Sequence, residues 1–346
     1  VMFTRAPFVD IVVGPQSYHN LPELIKRNSK SIKLDFIEEK KFDLLPKHEA
    51  TGAVSGFLSI QEGCDKFCSF CVVPYTRGAE FSRPVAKILE EARSVVENGT
   101  KEITLLGQNV NGYHGLNEKG QTSNLGKLIF ELEKVDGLER IRYTTSHPRD
   151  MHDDLYEAHA TCLKLMPFLH LPVQSGSDKI LKLMNRKHDR ESYFNIIKKL
   201  RIARPDIGFS SDFIIGFPGE DEEDLEATLD LIKKVSFAQC YSFKYSKRPG
   251  TPAAERDDQI SEVIKSERLQ RVQQLLSEQQ MAFNQKFKGQ VIDVLFDRSA
   301  KGQKIGRSPY LQSVCINSDD ASLHNQMRKV EIINAAPYSL KGKLVA

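Results

Sequence analysis

Residues 57–71 read Phe57-Leu58-Ser59-Ile60-Gln61-Glu62-Gly63-Cys64-Asp65-Lys66-Phe67-Cys68-Ser69-Phe70-Cys71, a short apolar run followed by three of the six cysteines in the chain. Zinc is usually held by pairs of ligands from two separated places. Here three thiols share one loop, with no fourth ligand nearby. Three thiolates fit three corners of a cubane iron–sulfur cluster and leave the fourth iron open. A zinc knuckle or ordinary buried thiols are the less favoured alternatives, and an open iron would indicate catalysis.

Apolar strand-like runs alternate with amphipathic helices from residue 57 onward. The predicted strands are Phe57–Gln61, Glu102–Leu106, Arg140–Thr144, Phe168–Leu171, Ile207–Ile215 and Gln239–Tyr245. The predicted helices between them are Val85–Asn98, Leu125–Val135, Asp153–Ala160, Ser192–Ala203 and Asp221–Val235. Each helix returns the chain to the next parallel strand, so the pattern predicts an α/β fold, a partial barrel of six strands. Active sites of such barrels lie on loops at the carboxyl ends of the strands, and the cysteine loop follows the first strand.

The regions before and after this predicted barrel do not show the same alternation of strands and helices. Residues 1–50 offer one strand within 8–15, one helix at Asn20–Arg27 and a charged linker from Glu38 to Gly52, which are too few elements to close a domain. Residues 260–287 predict a connecting helix with a broad apolar stripe. We therefore expect an amino-terminal remnant and linker over residues 1–50, the barrel with its helix over 51–288, and a separate unit over 289–346.

The carboxyl-terminal unit predicts a small antiparallel barrel with basic residues. Its β-like runs are Gln290–Phe296, Gln312–Ile316 and Lys329–Ile333. From Lys286 onward there are ten Lys or Arg against five Asp or Glu, a local charge of +5, so the rest of the +3 chain sums to −2. A merely solvated face is one interpretation of this charge, and attraction to a phosphate backbone is the other. The candidate RNA-binding residues are Arg298, Lys301, Lys304 and Arg307, followed closely by Tyr310 as a stacking ring.

Composition predicts a soluble globular protein of two or three domains. The chain has 346 residues, of which 40% are hydrophobic and 27% charged, with no apolar run long enough to span a bilayer. No membrane partner is expected. The first residues carry no basic and apolar secretory pattern. Exposed thiolates also require a reducing compartment, so we expect a cytoplasmic location.

Polar loops follow four of the predicted strands and would meet at one mouth of the barrel. They are 107–111, 145–148, 172–177 and 216–220, with sequences GQNVN, TSHP, PVQSGS and GFPGE. Each loop alone is more often an ordinary turn, but their recurrence after successive strands favours a binding site. His147 and His170 are either proton carriers or, more commonly, hydrogen-bonded wall residues.

The spacing Cys-x3-Cys-x2-Cys, with Phe70 just before the last cysteine, resembles the radical S-adenosylmethionine (SAM) enzymes. Short sequence segments along essentially the whole chain are similar to those of the methylthiotransferase branch of that family. They lie at 9–16, 61–78, 105–111, 146–148, 171–177, 184–186, 212–220 and 241–246. The tail resembles the TRAM domain that binds tRNA in this branch.

This resemblance implies the chemistry. The amino and carboxylate groups of SAM would chelate the open iron, and one electron would release a 5′-deoxyadenosyl radical. The product would carry a methylthio group on carbon 2 of an isopentenyl-modified adenosine beside a tRNA anticodon. Implied partners are tRNA, SAM and an electron donor such as flavodoxin. Cys64, Cys68 and Cys71 would hold one [4Fe–4S] cluster, and the expected SAM contacts are Phe70, Gln108, Asn109, Gln174, Ser175 and Gly216.

One departure from the family pattern concerns the second, auxiliary cluster. Family members hold it with three cysteines of an amino-terminal domain, whereas no cysteine precedes Cys64 here. Cys162, Cys240 and Cys315 are scattered singly and are more often core residues than ligands. We therefore expect a truncated chain that has no ligands for the auxiliary cluster and is impaired in sulfur insertion. The alternatives are a ribosomal-protein aspartate methylthiotransferase and a non-catalytic RNA-binding remnant.

Overall fold

The computed structural model describes residues 2–27, 29–34 and 52–345. Near the amino terminus a short helix, Met2–Arg5, precedes strand β1 (Ile11–Val13) and the helix Leu21–Lys26. Strand β2 (Ser31–Lys33) pairs with β1 in parallel. The sequence predicted β1 and the second helix but not β2. The predicted linker lies outside the described residues except for its last position, Gly52.

Parallel strands form the central part of the molecule. Strands β3 (Ser55–Ser59), β6 (Glu102–Leu106) and β7 (Arg140–Tyr143) make one three-stranded sheet in the order β3-β6-β7. Strands β8 (Phe168–His170), β9 (Gly208–Ile215) and β10 (Gln239–Lys244) make another in the order β8-β9-β10. A single parallel bridge, between Ile141 and Leu165, joins the two sheets. The predicted strands are therefore present, but as two linked sheets and not as one continuous sheet of six.

Amphipathic helices connect these strands and cover one face of the sheets. They are Val85–Glu97, Leu125–Glu133, Asp153–Thr161, Asp178–Leu183, Arg190–Ala203 and Glu222–Val235. Their apolar sides share one buried core with the strands, including Ile88, Leu128 and Phe209. Asp189 caps the helix that begins at Arg190 through the backbone N–H of Ser192, and this explains a start two residues earlier than predicted. The sequence analysis missed the helix Asp178–Leu183 because six residues are too few to show a helical period.

A long helix and a small closed barrel complete the chain. The helix Glu262–Gln285 connects to strands β11 (Val291–Ala300), β12 (Gln303–Arg307), β13 (Ser313–Asn317), β14 (Met327–Ala335) and β15 (Ser339–Leu344). The barrel order is β11-β12-β13-β15-β14, antiparallel except for β13 with β15. Strands β12 and β15 were missed because Gly306 and Gly342 interrupt their apolar alternation. Neither position has room for a side chain. A Cβ at Gly306 would lie 2.5 Å from the Leu295 carbonyl oxygen, and a Cβ at Gly342 would lie 2.3 Å from the Val330 side chain.

The small barrel docks against the amino-terminal ends of the central strands. Arg142 donates hydrogen bonds to the carbonyls of Ser308 and Pro309, and Arg140 donates to those of Asp293 and Arg307. Both guanidinium groups are buried, and burial lowers their pKa. Glu102 lies 3.0 Å from Arg142 and 3.8 Å from Arg140. A buried ionic cluster therefore ties the two parts together, at the end of the strands opposite the cysteine loop.

The helices described by the structure include none that is both long and apolar enough to cross a membrane.

Candidate active site

The cysteine loop leaves the short strand β4 (Gln61–Glu62) and ends in the helix Val73–Arg77. Cys68 is buried, while Cys64 and Cys71 are partly exposed, and all three are free thiols. Burial raises the pKa of Cys64 to about 11, and the neighbouring thiols Cys68 and Cys71 add to the rise. The three thiols are thus close enough to influence one another electrostatically. Metal binding would have to displace their protons, as it does at thiolate sites generally.

The donor set fits a cluster better than a single ion. No three His, Cys, Asp or Glu side chains within residues 2–27, 29–34 and 52–345 converge on a point that would hold one metal ion. A zinc ion needs each sulfur donor within about 2.3 Å of one centre. The thiolates around an iron–sulfur cluster bind different iron atoms and stand farther apart. Three soft sulfur donors on one loop are the donor set that such a cluster takes.

Two glutamines fasten the cysteine loop to the loop after β6. The Gln61 Oε1 accepts hydrogen bonds from the backbone N–H groups of Gln108 (2.8 Å) and Asn109 (3.0 Å), and its Nε2 donates to the Gly63 carbonyl (2.7 Å). Gln108 Oε1 accepts from the Gly63 N–H at 2.8 Å. Gly63 has φ +77°, and a Cβ there would lie 2.0 Å from the Ala79 carbonyl oxygen. The side-chain oxygen of Gln108, a predicted SAM contact, is therefore occupied in holding the loop.

A polar network extends from the cysteine loop through Asn109. Lys66 lies 2.7 Å from Asp150, and Asn109 Nδ2 donates to Asp150 at 2.7 Å. Asn109 also approaches Glu80, whose pKa is raised mainly by burial. The Asn109 Oδ1 is buried and has no hydrogen-bond partner within the described residues. Because buried polar atoms are normally satisfied, this oxygen is well suited to a bound ligand. Lys66 and Asp150 were not singled out by the sequence analysis, although Lys66 lies between two of the cysteines.

The other predicted SAM contacts occupy two further loops. Gln174 has φ +76°, and its backbone bridges to Phe213 on β9. The Ser175 hydroxyl is buried, accepts from the Ser177 N–H at 3.2 Å and faces Thr228 at 3.4 Å. Ser175 thus stiffens its own loop, whereas the Gln174 side chain makes no hydrogen bond within the described part of the chain. Phe70 packs against the apolar cluster formed by Ile180, Met184, Phe217, Tyr245 and Ala253.

Gly216 closes the turn after β9. Its φ is +71°, and a Cβ would lie 2.1 Å from the Lys265 side chain. Its N–H donates to Glu220 at 2.9 Å, and Arg268 also donates to that carboxylate at 3.0 Å. Burial raises the pKa of Glu220 to about 7 against the opposing effect of these two donors. The turn is therefore rigid and holds a carboxyl group that titrates near neutrality.

Arg186 is a site residue that the sequence analysis did not assign. Its Nη1 lies 3.6 Å from the Cys68 sulfur and its Nη2 donates to the Pro172 carbonyl at 2.5 Å. Its Nε is buried and has no hydrogen-bond partner among the described residues. The available signal was its place in the phrase Met184-Asn185-Arg186. A permanent positive charge beside a cluster thiolate would stabilise the negative charge of the loaded loop.

Two histidines, the buried His147 and the half-buried His188, lie beside Arg186. The rings of His147 and His188 are 5.7 Å apart, and burial together with the Arg186 charge lowers both pKa values, that of His188 to about 4. Each Nε2 lacks a hydrogen-bond partner in the described part of the chain, as does the buried Ser146 hydroxyl. Neutral imidazoles and a free hydroxyl offer hydrogen bonds without charge, which suits a polar organic ligand.

The candidate RNA-binding residues lie on β11, β12 and the turn between them. Arg298 and Lys301 are exposed. Lys304 is buried and donates to the Ser299 hydroxyl, and Arg307 donates to the Leu311 carbonyl. Tyr310 packs against Phe283 and Phe287 and donates to Asp206, so its ring is part of an aromatic cluster and is not the free stacking surface that was expected. Arg298 and Lys301 are thus the better placed of the four.

Three cysteine thiols on one loop near the carboxyl ends of the parallel strands, with unsatisfied polar atoms around them, fit the radical SAM class that the sequence resembles. Consistent with this, residues 58–232 match the sequence profile of the Radical SAM superfamily. Coproporphyrinogen III oxidase from Escherichia coli, a solved radical SAM structure, aligns with a TM-score of 0.47 and 18% identity over 71% of this chain and 57% of that chain.

Curated relatives specify the branch. The tRNA-2-methylthio-N(6)-dimethylallyladenosine synthase of Rickettsia canadensis is 60% identical, covering 99% of this chain and 78% of the relative. The protein of the same name from Wolbachia pipientis is 59% identical, covering 99% of this chain and 79% of the relative. The chain belongs to this family, the radical SAM tRNA methylthiotransferases.

Proposed function

We propose that this chain acts on carbon 2 of an isopentenyl-modified adenosine next to a tRNA anticodon, as the names of its relatives indicate for them. The observation that carries the proposal is the three-cysteine loop, which Gln61 and Gln108 fix at the carboxyl ends of the strands beside Arg186. A ribosomal-protein aspartate methylthiotransferase is not favoured, because the curated relatives at about 60% identity bear the tRNA name.

Within this proposal each group in the site has a task. Cys64, Cys68 and Cys71 would hold a [4Fe–4S] cluster, which when bound supplies one electron to cleave SAM. Arg186 counters negative charge at Cys68, and the Lys66–Asp150–Asn109 network orders the loop around it. Asn109, His147 and His188 offer unsatisfied hydrogen-bonding atoms to the ligand. Asn109, Gln174, Phe70 and Gly216 remain the predicted SAM contacts, and Gln108 and Ser175 position their loops.

The polypeptide of residues 1–346 should generate the 5′-deoxyadenosyl radical but should insert little or no sulfur. Its remaining cysteines lie on different elements: Cys162 follows a helix, Cys240 is on β10 and Cys315 is on β13. Such isolated thiols are poorly placed to hold a second cluster. With SAM, a strong reductant and isopentenylated tRNA, we expect 5′-deoxyadenosine but little or no methylthio-adenosine. Iron counting and mass spectrometry of nucleosides digested from the tRNA test this.

The control is the full-length Rickettsia canadensis relative, of which this chain covers 78%, and it should yield both products. About four irons per chain without the modified nucleoside would agree with the proposal. About eight irons, or robust methylthiolation by residues 1–346, would contradict it. If neither residues 1–346 nor the control formed 5′-deoxyadenosine, the result would favour the alternative of a non-catalytic RNA-binding protein.

We further propose that residues 289–346 form a TRAM-like domain that contacts tRNA phosphates in the cytoplasm, where an electron donor such as flavodoxin would reduce the cluster. Support comes from the closed five-stranded barrel and from the exposed Arg298 and Lys301. Deleting this unit would strip the partners from buried Arg140 and Arg142, so substitution is the cleaner test.

The double variant Arg298→Ala/Lys301→Ala should bind tRNA more weakly and with a flatter salt dependence. Each lost phosphate contact lowers the slope of log affinity against log salt by about 0.7 to 0.9. Filter binding at several salt concentrations measures this slope, with Lys26→Ala as an exposed control far along the chain. An unchanged slope in the double variant would remove these two residues from the RNA interface.

A further inference from the structure

The two sheets have an inner face that the helices do not cover. On β9, Phe209 and Phe213 belong to the helix-packed core, so the alternate residues Ser210 and Asp212 point to the other side. His170 lies on that side, since its Nδ1 is 2.9 Å from the Ser210 hydroxyl and its Nε2 is 3.5 Å from Asp212. This inner face is largely polar.

Three large aromatic side chains interrupt the polar inner face. Phe57 on β3 is 67% exposed, and Tyr241 and Phe243 on β10 are 49% and 54% exposed. Their neighbours Leu58 and Cys240 pack against the core, which places the three rings on the inner face. Among the strands that the structure describes, β3 and β10 each pair on one side only and form the two outer edges of the linked sheets. We call Phe57, Tyr241 and Phe243 the aromatic rim.

The rim is ordered and is flanked by positive charge. Gln239 donates to the Tyr241 hydroxyl at 2.7 Å, and the Tyr241 ring lies 6.2 Å from that of His170. Tyr245, which directly follows β10, is buried and has a hydroxyl without a hydrogen-bond partner in the described residues. Lys247 and Arg248 follow it, both exposed. Exposed rings next to unburied cations suit a nucleotide, which has an apolar face and charged phosphates.

We propose that the aromatic rim receives the purine ring and the isopentenyl chain of the target adenosine, with Lys247 and Arg248 near the flanking phosphates. This inference rests on the proposed function and adds the residues that select the substrate. A purine can stack on a phenyl or phenol ring, and a branched five-carbon chain gains from covering the remaining ring surface. The rest of the inner face is largely polar and would not favour contact with such an apolar chain.

The test compares two synthetic anticodon stem-loop RNAs that differ only in the isopentenyl group. Fluorescence anisotropy with the anaerobically reconstituted protein gives the affinity ratio of prenylated to unprenylated RNA. Tyr241→Ala and Phe243→Ala should each lower that ratio about tenfold, which corresponds to about 1.4 kcal/mol. Tyr241→Phe keeps the ring and should retain the ratio. Leu163→Ala, at a side chain that is 86% exposed in another part of the fold, is the control.

The outcomes separate this inference from the proposed function. A wild-type ratio near one would overturn both, because the protein would not distinguish the prenyl group. A high wild-type ratio that persists in Tyr241→Ala, Phe243→Ala and Phe57→Ala would overturn the rim alone. Equal weakening toward both RNAs would also overturn it, since that result indicates a structural role. Another occupant of the rim, such as a second copy of the chain, would show itself as a change of mass in sedimentation when the rings are removed.

Discussion

Replacing Cys64, Cys68 or Cys71 by alanine is expected to abolish the iron–sulfur cluster and, with it, all reductive cleavage of SAM. The three thiols lie on one loop and would share the proposed cluster, so no remaining pair could hold a cubane with one open iron. Visible absorption and iron counting after anaerobic reconstitution measure the cluster. Formation of 5′-deoxyadenosine, measured by liquid chromatography, should fall below detection in each variant.

Cys315→Ser is the matched control for this result. Cys315 is also a free and partly exposed thiol, but it lies on β13 of the small barrel. This variant should keep the wild-type iron content and activity. A cluster that survived the loss of Cys64, or zinc bound by four ligands in the wild type, would show that the loop has another role.

The second large effect is expected at the buried ionic cluster between the two parts of the molecule. In Arg142→Ala, Glu102 loses its nearer cation, and the Ser308 and Pro309 carbonyls lose their donor. Breaking a buried ion pair by removing one partner typically costs about 3–5 kcal/mol. We expect a fall of that size in the free energy of unfolding and earlier proteolytic release of the small barrel. Urea denaturation and limited proteolysis measure the two effects.

A surface ion pair of the same barrel provides the comparison. Lys329 lies 3.4 Å from Asp293, and both side chains are largely exposed. Lys329→Ala should cost less than about 1 kcal/mol, as exposed pairs generally do. If Arg142→Ala were equally mild, water would have to replace the guanidinium at the interface, and the docking would not depend on the buried charges.

The sequence predicted those features that have a long period or a distinctive spacing. The strand Glu102–Leu106 was predicted with its observed bounds, since both its apolar pattern and its neighbouring helices are regular. The cysteine loop was recognised because thiols so close together are uncommon. The short helices Val73–Arg77 and Asp178–Leu183 were missed because each shows less than two turns of periodicity.

Contacts between distant segments were beyond the reach of the sequence pattern. Arg186 reaches Cys68 across 118 positions of the chain, and Gln108 reaches Gly63 across 45. Tyr310 was expected to be a stacking surface from its basic neighbours, but the connecting helix supplies Phe283 and Phe287 to cover it. Whether a tyrosine ring is exposed for stacking or covered by other rings depends on the packing of the folded chain, because the same side chain can do either.

The placement of the small barrel sets a distance that the RNA must match. It docks at the amino-terminal ends of the strands, whereas the cysteine loop leaves their carboxyl ends, and the eight residues of β9 span about 25 Å. An RNA that contacts Arg298 and Lys301 must therefore present its reactive base several nucleotides away from those phosphates. A stem and loop of suitable length would bring the base within reach of the cysteine loop. An RNA of the right sequence but a different shape would not.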